Sequence, residues 1–178
     1  MKHCVRLLAF TACLFSTAAS AADQILTFTS LGPVQIGMSV ADAEKALGAK
    51  LKPLDPRDGV STEACWLTER ADGIQRGLTY MVREGKIVRF DIWEDAADAS
   101  GIATDKGIRV GAAENAVMSA YGSALEAMEH PHVGKDGRYL IFTAPDKRHG
   151  LIFETVNGKV VNLRGGEISS VTLEETCA

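Results

Sequence analysis

Gly77-Leu78-Thr79-Tyr80-Met81-Val82-Arg83-Glu84-Gly85-Lys86-Ile87-Val88-Arg89-Phe90-Asp91-Ile92-Trp93 is the stretch on which the fold turns. Two β-rich runs flank Glu84-Gly85, and a glycine-bearing break between such runs predicts a hairpin. Strand side chains alternate between faces, so Leu78, Tyr80 and Val82 share one face, as do Val88, Phe90 and Ile92. A second stretch repeats the pattern around Asn157-Gly158, the strongest short hairpin signal. There Leu151 and Phe153 match Val161 and Leu163. These apolar sets are assigned to the core.

Working outward, the two hairpins belong to a wider internal similarity. Val34-Gln35-Ile36-Gly37 leads to Ala46-Leu47-Gly48, and Ile108-Arg109-Val110-Gly111 leads to Ala120-Tyr121-Gly122, at an offset of 74 positions. Gly77-Leu78-Thr79-Tyr80 and Gly150-Leu151-Ile152-Phe153 follow at an offset of 73. Each stretch reads as a short lead-in strand, a helix and antiparallel strands. Ser39 is placed to cap the first helix with Asp42 three residues on, Val40, Ala43 and Leu47 fall on one side, and Gly48 ends it. Val117, Ala120 and Tyr121 form the equivalent face before Gly122. Ile168, Val171 and Leu173 suggest a last strand leading to Cys177, and Glu94 to Ser100 reads as a connector. The expectation is an α+β fold of two tandem copies, helices on one face of a shared or adjoining sheet. The divisions are 1–21 for a leader, 22–98 for the first unit and 99–178 for the second.

The leader reads as a secretory signal peptide. Lys2 and Arg6 give a basic start, Leu7 to Phe15 an apolar run broken only by Thr11, and Ala19-Ser20-Ala21 a small-residue cleavage pattern, with the cut after Ala21. A membrane span needs roughly 20 apolar residues, about twice this run. Cys13 lacks the aliphatic residue three places earlier that a lipidation site wants, since Phe10 stands there. The expected location is therefore the periplasm or the exterior, as a soluble protein without an integral anchor.

Removing 21 of the 178 residues leaves 157, enough for one domain or two small ones. Lys2 and Arg6 depart with the leader, so 17 basic side chains remain against 23 acidic ones, a balance of −6. So acidic a chain, with no Lys/Arg run, is a poor candidate for nucleic acid. Cys4 and Cys13 also depart. Cys65 and Cys177 are left in an oxidising compartment, where one bridge is the simplest arrangement and two free thiols or an intermolecular pair the alternative.

Ile36-Gly37-Met38-Ser39 followed by Leu47-Gly48 resembles the I-x-x-G-M-[ST]…L-G lead-in of the BamE/SmpA-type fold, with the isoleucine directly before the glycine here. In the second stretch Ala112-Ala113 stand where Met38-Ser39 stand in the first. That fold includes the tandem-repeat β-lactamase-inhibitory proteins (BLIP-like), and the chain is also similar to exported proteins of Gram-negative bacteria with the same plan. The resemblance implies an open, concave sheet face that grips a partner protein. No partner-contacting residue of those inhibitors can be matched, so lactamase inhibition is not implied.

If helices cover one sheet face, the other carries Trp66, Met81, Arg83, Arg89, Asp91 and Trp93, with Ile152, Glu154, Asn162 and Arg164 from the second stretch. Aromatic and arginine side chains among acids suit a protein-binding face. The expected function is thus an exported binding protein, of a kind that includes inhibitor and immunity-type modules. The second expectation is a ligand-binding protein for glycans or cell-envelope fragments using the same aromatics. Third is a hydrolase built on His130 and His132. With Asp136 and His149 these histidines also invite a zinc reading, but Pro131 splays the segment and a surface loop is preferred. No G-x-S-x-G, H-E-x-x-H or phosphate-binding glycine loop is present, so neither catalytic residue nor cofactor is assigned.

Overall fold

The computed structural model describes residues 25–54, 62, 64–94, 101–174 and 177. The leader, most of the Glu94–Ser100 connector and Pro56 to Asp58 lie outside these. Both hairpins form where the sequence places them. Glu84 and Gly85 have φ of 50° and 73°, and Asn157 and Gly158 have 50° and 74°, the paired left-handed conformations of a type I′ turn. The first turn joins β6 (Leu78–Arg83) to β7 (Lys86–Trp93), and the second joins β11 (His149–Val156) to β12 (Lys159–Glu167).

These four strands are the centre of one antiparallel sheet of eight. Its order is completed by β4 (Leu51–Pro53) and β5 (Cys65–Arg70) beyond β6, and by β10 (Gly134–Thr143) and β9 (Leu125–His130) beyond β11. A second sheet of four strands runs β3 (Val34–Gln35), β2 (Ser30–Leu31), β1 (Ile25–Leu26), β8 (Ala103–Thr104). The helices are short: α1 (Val40–Leu47), α2 (Glu114–Tyr121) and the single turn α3 (Ile168–Val171).

The fold is therefore mostly β, and the expected α+β pair of helix-plus-strand units is not what forms. The expected shared sheet does form, since β7 pairs directly with β12. What overturns the two units is the strand content, with eight strands in that sheet, four in a second and three short helices, and β1 pairing in parallel with β8 across the division expected near residue 98. Of the small sheet the sequence reading anticipated β3 alone, as the lead-in at Val34, because its strands are two residues long, too short to show alternation. The lead-in Ile108–Val110 forms no strand at all.

The glycines that end each lead-in have a definite task. Gly37 has φ +88° and donates its N–H to Ile87 O at 2.8 Å; Gly111 has φ +83° and donates to Val160 O at 2.8 Å. A left-handed residue lets the chain touch the hairpin and then turn into a helix. Ser39 caps α1, its Oγ accepting from Asp42 N at 3.1 Å and donating to Asp42 Oδ2 at 2.6 Å. Ala113 gives α2 no side-chain cap, and the helix is held instead by burial of Val117 and Tyr121.

The main core lies between the large sheet and a layer made of the small sheet, α1 and α2. Leu78, Tyr80, Val82, Phe90, Ile92, Leu151, Phe153 and Leu163 point into it, as expected. Val88 and Val161 do not. Met81 opposes Arg89 while Val82 opposes Ile87, and Glu154 opposes Asn162 while Thr155 opposes Val160. Each strand thus carries a bulge with one extra residue, which hands the core position to Ile87 and Val160. A strict period of two cannot anticipate that shift. The expected last strand is also replaced: Ile168 to Val171 make a helical turn, with Thr172 N bonded to Ile168 O at 3.2 Å.

The small sheet rests on β12 at Gly165. A Cβ there would stand 2.9 Å from Thr27 O and 3.0 Å from Leu26 Cδ1. Gly165→Ala should therefore lower stability by about 1–3 kcal/mol through overpacking. Urea unfolding checks this, and an unchanged midpoint would mean the small sheet can move off β12 freely.

Candidate functional site

The face expected to be open is covered. α3 and the residues after it run across the side of the sheet opposite the main core, and the Cys65–Cys177 disulfide pins their far end, with Cα atoms 5.9 Å apart. Met81, Asp91 and Asn162 are fully buried, and Arg89 and Arg164 are 2% and 3% exposed. Glu154 and Trp93 stay partly exposed at the margin. Trp66 is on the other side altogether. It opposes Val82 and packs against the main core, so it never shared a face with Arg89.

Beneath this cover the ionic side chains form one connected set. Arg89 Nε donates to Asp91 Oδ2 at 2.9 Å, and Arg164 Nε stands 3.6 Å from Asp91 Oδ1. Arg164 Nη2 donates to Glu154 Oε2 at 3.0 Å, and Glu154 Oε1 meets His130 Nε2 at 2.8 Å. His130 Nδ1 accepts the backbone N–H of His132 at 3.1 Å, which puts the proton of the neutral ring on Nε2, donated to Glu154. Two guanidinium groups thus face two carboxylates. Their remaining N–H groups reach the covering backbone: Arg89 Nη1 donates to Ser170 O at 2.7 Å and Arg164 Nη1 to Leu173 O at 2.8 Å. Tyr139 lies beside this set, its ring 5.6 Å from the Arg164 guanidinium carbon. Burial, reinforced by the Glu154 carboxylate, holds its hydroxyl above the ordinary tyrosine pKa.

His130, expected in a surface loop, is therefore a buried end of β9, while His132 is exposed. His149 has a separate partner. Asp146 Oδ2 lies 2.6 Å from His149 Nδ1, and Asp146 Oδ1 accepts from the N–H groups of Arg148 and His149 at 2.9 and 3.1 Å. The histidine contact leads in lowering the Asp146 pKa to about 2. An ionised carboxylate orients the ring through Nδ1 and leaves Nε2 as its second coordinating or proton-accepting atom. A pocket of about 400 Å³ lies alongside, lined by Lys147, Arg148, His149, Glu167, Ile168 and Ser169. Only the three-residue spacing of Asp146 and His149 could have signalled this pair. Among the described residues no group of three or more His, Cys, Asp or Glu side chains is arranged for a metal ion.

The two edges of the large sheet differ. β4 is three residues long and ends on Pro53, features that protect an edge from pairing. β9 is six residues long, contains no proline and pairs only with β10. Glu126, Ala127, Met128 and Glu129 are exposed along it, and Val133 follows in the next turn. Among the described residues Glu126 and Glu129 form no ion pair. Nothing in the sequence marked β9 as an edge, because strand order is a long-range property.

Asp91 is the charge between the two buried arginines. Asp91→Ala should cost about 3–5 kcal/mol by leaving cationic groups buried without compensation. Glu69→Ala, which removes the exposed Lys52–Glu69 contact at 3.0 Å, should cost about 1 kcal/mol or less. Chemical denaturation of both variants in the oxidised state measures the contrast; equal losses would contradict a charged, buried network.

No helix among the described residues is long and apolar enough to cross a membrane. Comparison of the chain with protein-family models, curated proteins and solved structures finds no match.

Proposed function

We propose that the chain is exported, loses its first 21 residues, and acts as a binding module that takes an extended, basic segment of a partner protein onto the free edge of β9. The observation that carries this reading is the contrast between the sheet edges. An unpaired strand presents backbone N–H and C=O groups that a second strand can complete, and alternate side chains then set specificity. On β9 those groups stand beside Glu126 and Glu129, with Met128 half exposed as an apolar anchor. Acidic side chains along an edge discourage a second acidic edge and favour Lys or Arg opposite them. The −6 balance of the mature chain adds long-range attraction for a basic partner. The resemblance of Ile36-Gly37-Met38-Ser39 to a fold that includes protein inhibitors points the same way.

The rival expectations lose their main supports. A glycan platform needs several aromatic faces on one surface, yet Trp66 packs on the main core, on the opposite side of the sheet from the partly exposed Trp93. A hydrolase centred on His130 needs a free ring nitrogen, and both nitrogens of His130 are engaged.

Two measurements on one preparation test the proposal. Full-length protein expressed in a Gram-negative host should be recovered from the periplasm beginning at Ala22, by mass spectrometry. The isotope-labelled mature protein, titrated with a Val-Lys-Val-Val-Lys-Val hexapeptide whose lysines are spaced as Glu126 and Glu129 are, should show amide shifts concentrated on Leu125–His130 and β10. Glu126→Lys with Glu129→Lys should weaken that binding by about tenfold, equivalent to about 1.4 kcal/mol. The same peptide with glutamate in place of both lysines binding equally well, or shifts that avoid β9, would sink the edge reading. A cytoplasmic product retaining Met1 would sink the export.

A further inference from the structure

The cover over Arg89 and Arg164 is attached in an unusual way for a closing segment. Both arginines, on the strands that carry the sheet's centre, bond to backbone carbonyl oxygens of the cover and not to its side chains: Ser170 O at 2.7 Å and Leu173 O at 2.8 Å, with Val171 O at 3.4 Å. Backbone carbonyls are present in any polypeptide. Side-chain selectivity comes from two separate apolar seats. Ile168 and Val171 pack with Tyr139, Ile141 and Ile152, while Leu173 packs with Leu67, Met81 and Val88 beside the disulfide. The floor is cut back at Gly150 to admit the segment, since a Cβ there would stand 2.9 Å from Ile168 Cδ1.

The fit is also incomplete. Asp91 Oδ1, Asn162 Nδ2, Thr79 Oγ1 and Ser170 Oγ are buried without a hydrogen-bond partner. Buried polar groups are ordinarily paired, so a cover that leaves several unpaired does not complement this face fully. The far end of the cover is held by a bond that can be opened.

From these observations we infer that this sheet face is a peptide-binding groove, occupied in the oxidised protein by the chain's own residues 168–173. Its other occupant is a segment of a second polypeptide that makes the same helical turn and carries apolar side chains spaced as Ile168, Val171 and Leu173 are. The groove lies on the sheet face and is independent of the β9 edge. The disulfide makes the chain's own segment an intramolecular competitor held at its far end. A dithiol reductant opens it: the disulfide takes up two electrons and two protons to give the Cys65 and Cys177 thiols, and the reductant becomes a disulfide. Among the described residues the segment is then held covalently through Glu167 at its near end alone, and the loss of the far anchor lowers its effective concentration, so that a partner segment can compete with it.

The test uses a labelled synthetic peptide with the sequence of residues 167–174 and three forms of the full mature chain. Oxidised wild type should give no change in fluorescence anisotropy. A chain carrying Val171→Asp, Leu173→Asp and Cys177→Ser, whose own cover is disabled, should bind the peptide saturably and at least about tenfold more tightly than reduced wild type. A peptide with aspartate at the positions of Ile168 and Val171 should not bind that chain. Equal binding by oxidised wild type, or no binding by a triple variant that keeps the native circular dichroism, overturns the inference. Should the triple variant not fold, hydrogen exchange of wild type decides. Reduction should speed exchange at the amides of Ile168, Thr172 and Leu173 at least about tenfold and leave β7 and β12 protected. Unchanged exchange at those three amides overturns it equally.

Discussion

Two guanidinium groups sit under cover in the middle of an eight-stranded sheet, and the arrangement of the far side of that sheet follows from where they can find partners. Arg89 and Arg164 lie on neighbouring strands, joined through Asp91, and neither reaches water. Desolvating such groups is expensive unless every N–H finds an acceptor. Asp91 and Glu154 supply the charge balance, Asn162 Oδ1 accepts from Arg164 Nε, and the carbonyls of Ser170, Val171 and Leu173 accept from the Nη1 groups. The chain therefore has to cross the face after β12 and turn there, which a single helical turn does. The disulfide at Cys177 fixes the crossing.

The opposite side of the sheet is built by ordinary apolar packing. Tyr80 and Phe90 meet edge to face at 5.9 Å between ring centroids, and Tyr121 of α2 reaches Phe142 and Phe153. Burial lifts the hydroxyls of Tyr80 and Tyr121 to about 12. The protein is in this sense two-sided: an apolar layer that holds the fold, and a charged layer closed by residues 168–174. The free β9 edge and the Asp146–His149 pair lie outside both layers and remain accessible.

How much of this the sequence disclosed depended on range. Glu84-Gly85 and Asn157-Gly158 announce their hairpins because a two-residue turn is a local matter of φ. Ser39, Asp42 and Gly48 mark α1 for the same reason. Cys65 and Cys177 form the bridge that was the simplest of the arrangements the sequence left open. Local pattern failed at Val88 and Val161, where a bulge shifts the face, and at Ile168-Val171-Leu173, whose spacing serves a strand and a helical turn equally. It failed most for the candidate site. Alternation put Arg89, Asp91, Asn162 and Arg164 correctly on one side of the sheet, but no local signal tells that a distant segment covers it. The same limit hid β1 against β8 and the small sheet they belong to, and with it the mostly-β character of the fold.

The account rests on Arg89 and Arg164 being sealed under the C-terminal segment, and solvent exchange of the arginine Nε–H protons, followed by nuclear magnetic resonance in the oxidised protein, measures that most directly. Two Nε–H signals, assigned to Arg89 and Arg164, should exchange far more slowly than those of the exposed arginines and hardly respond to added salt. Exchange of either signal at the rate of an exposed arginine would contradict the closed, charged layer on which the rest is built.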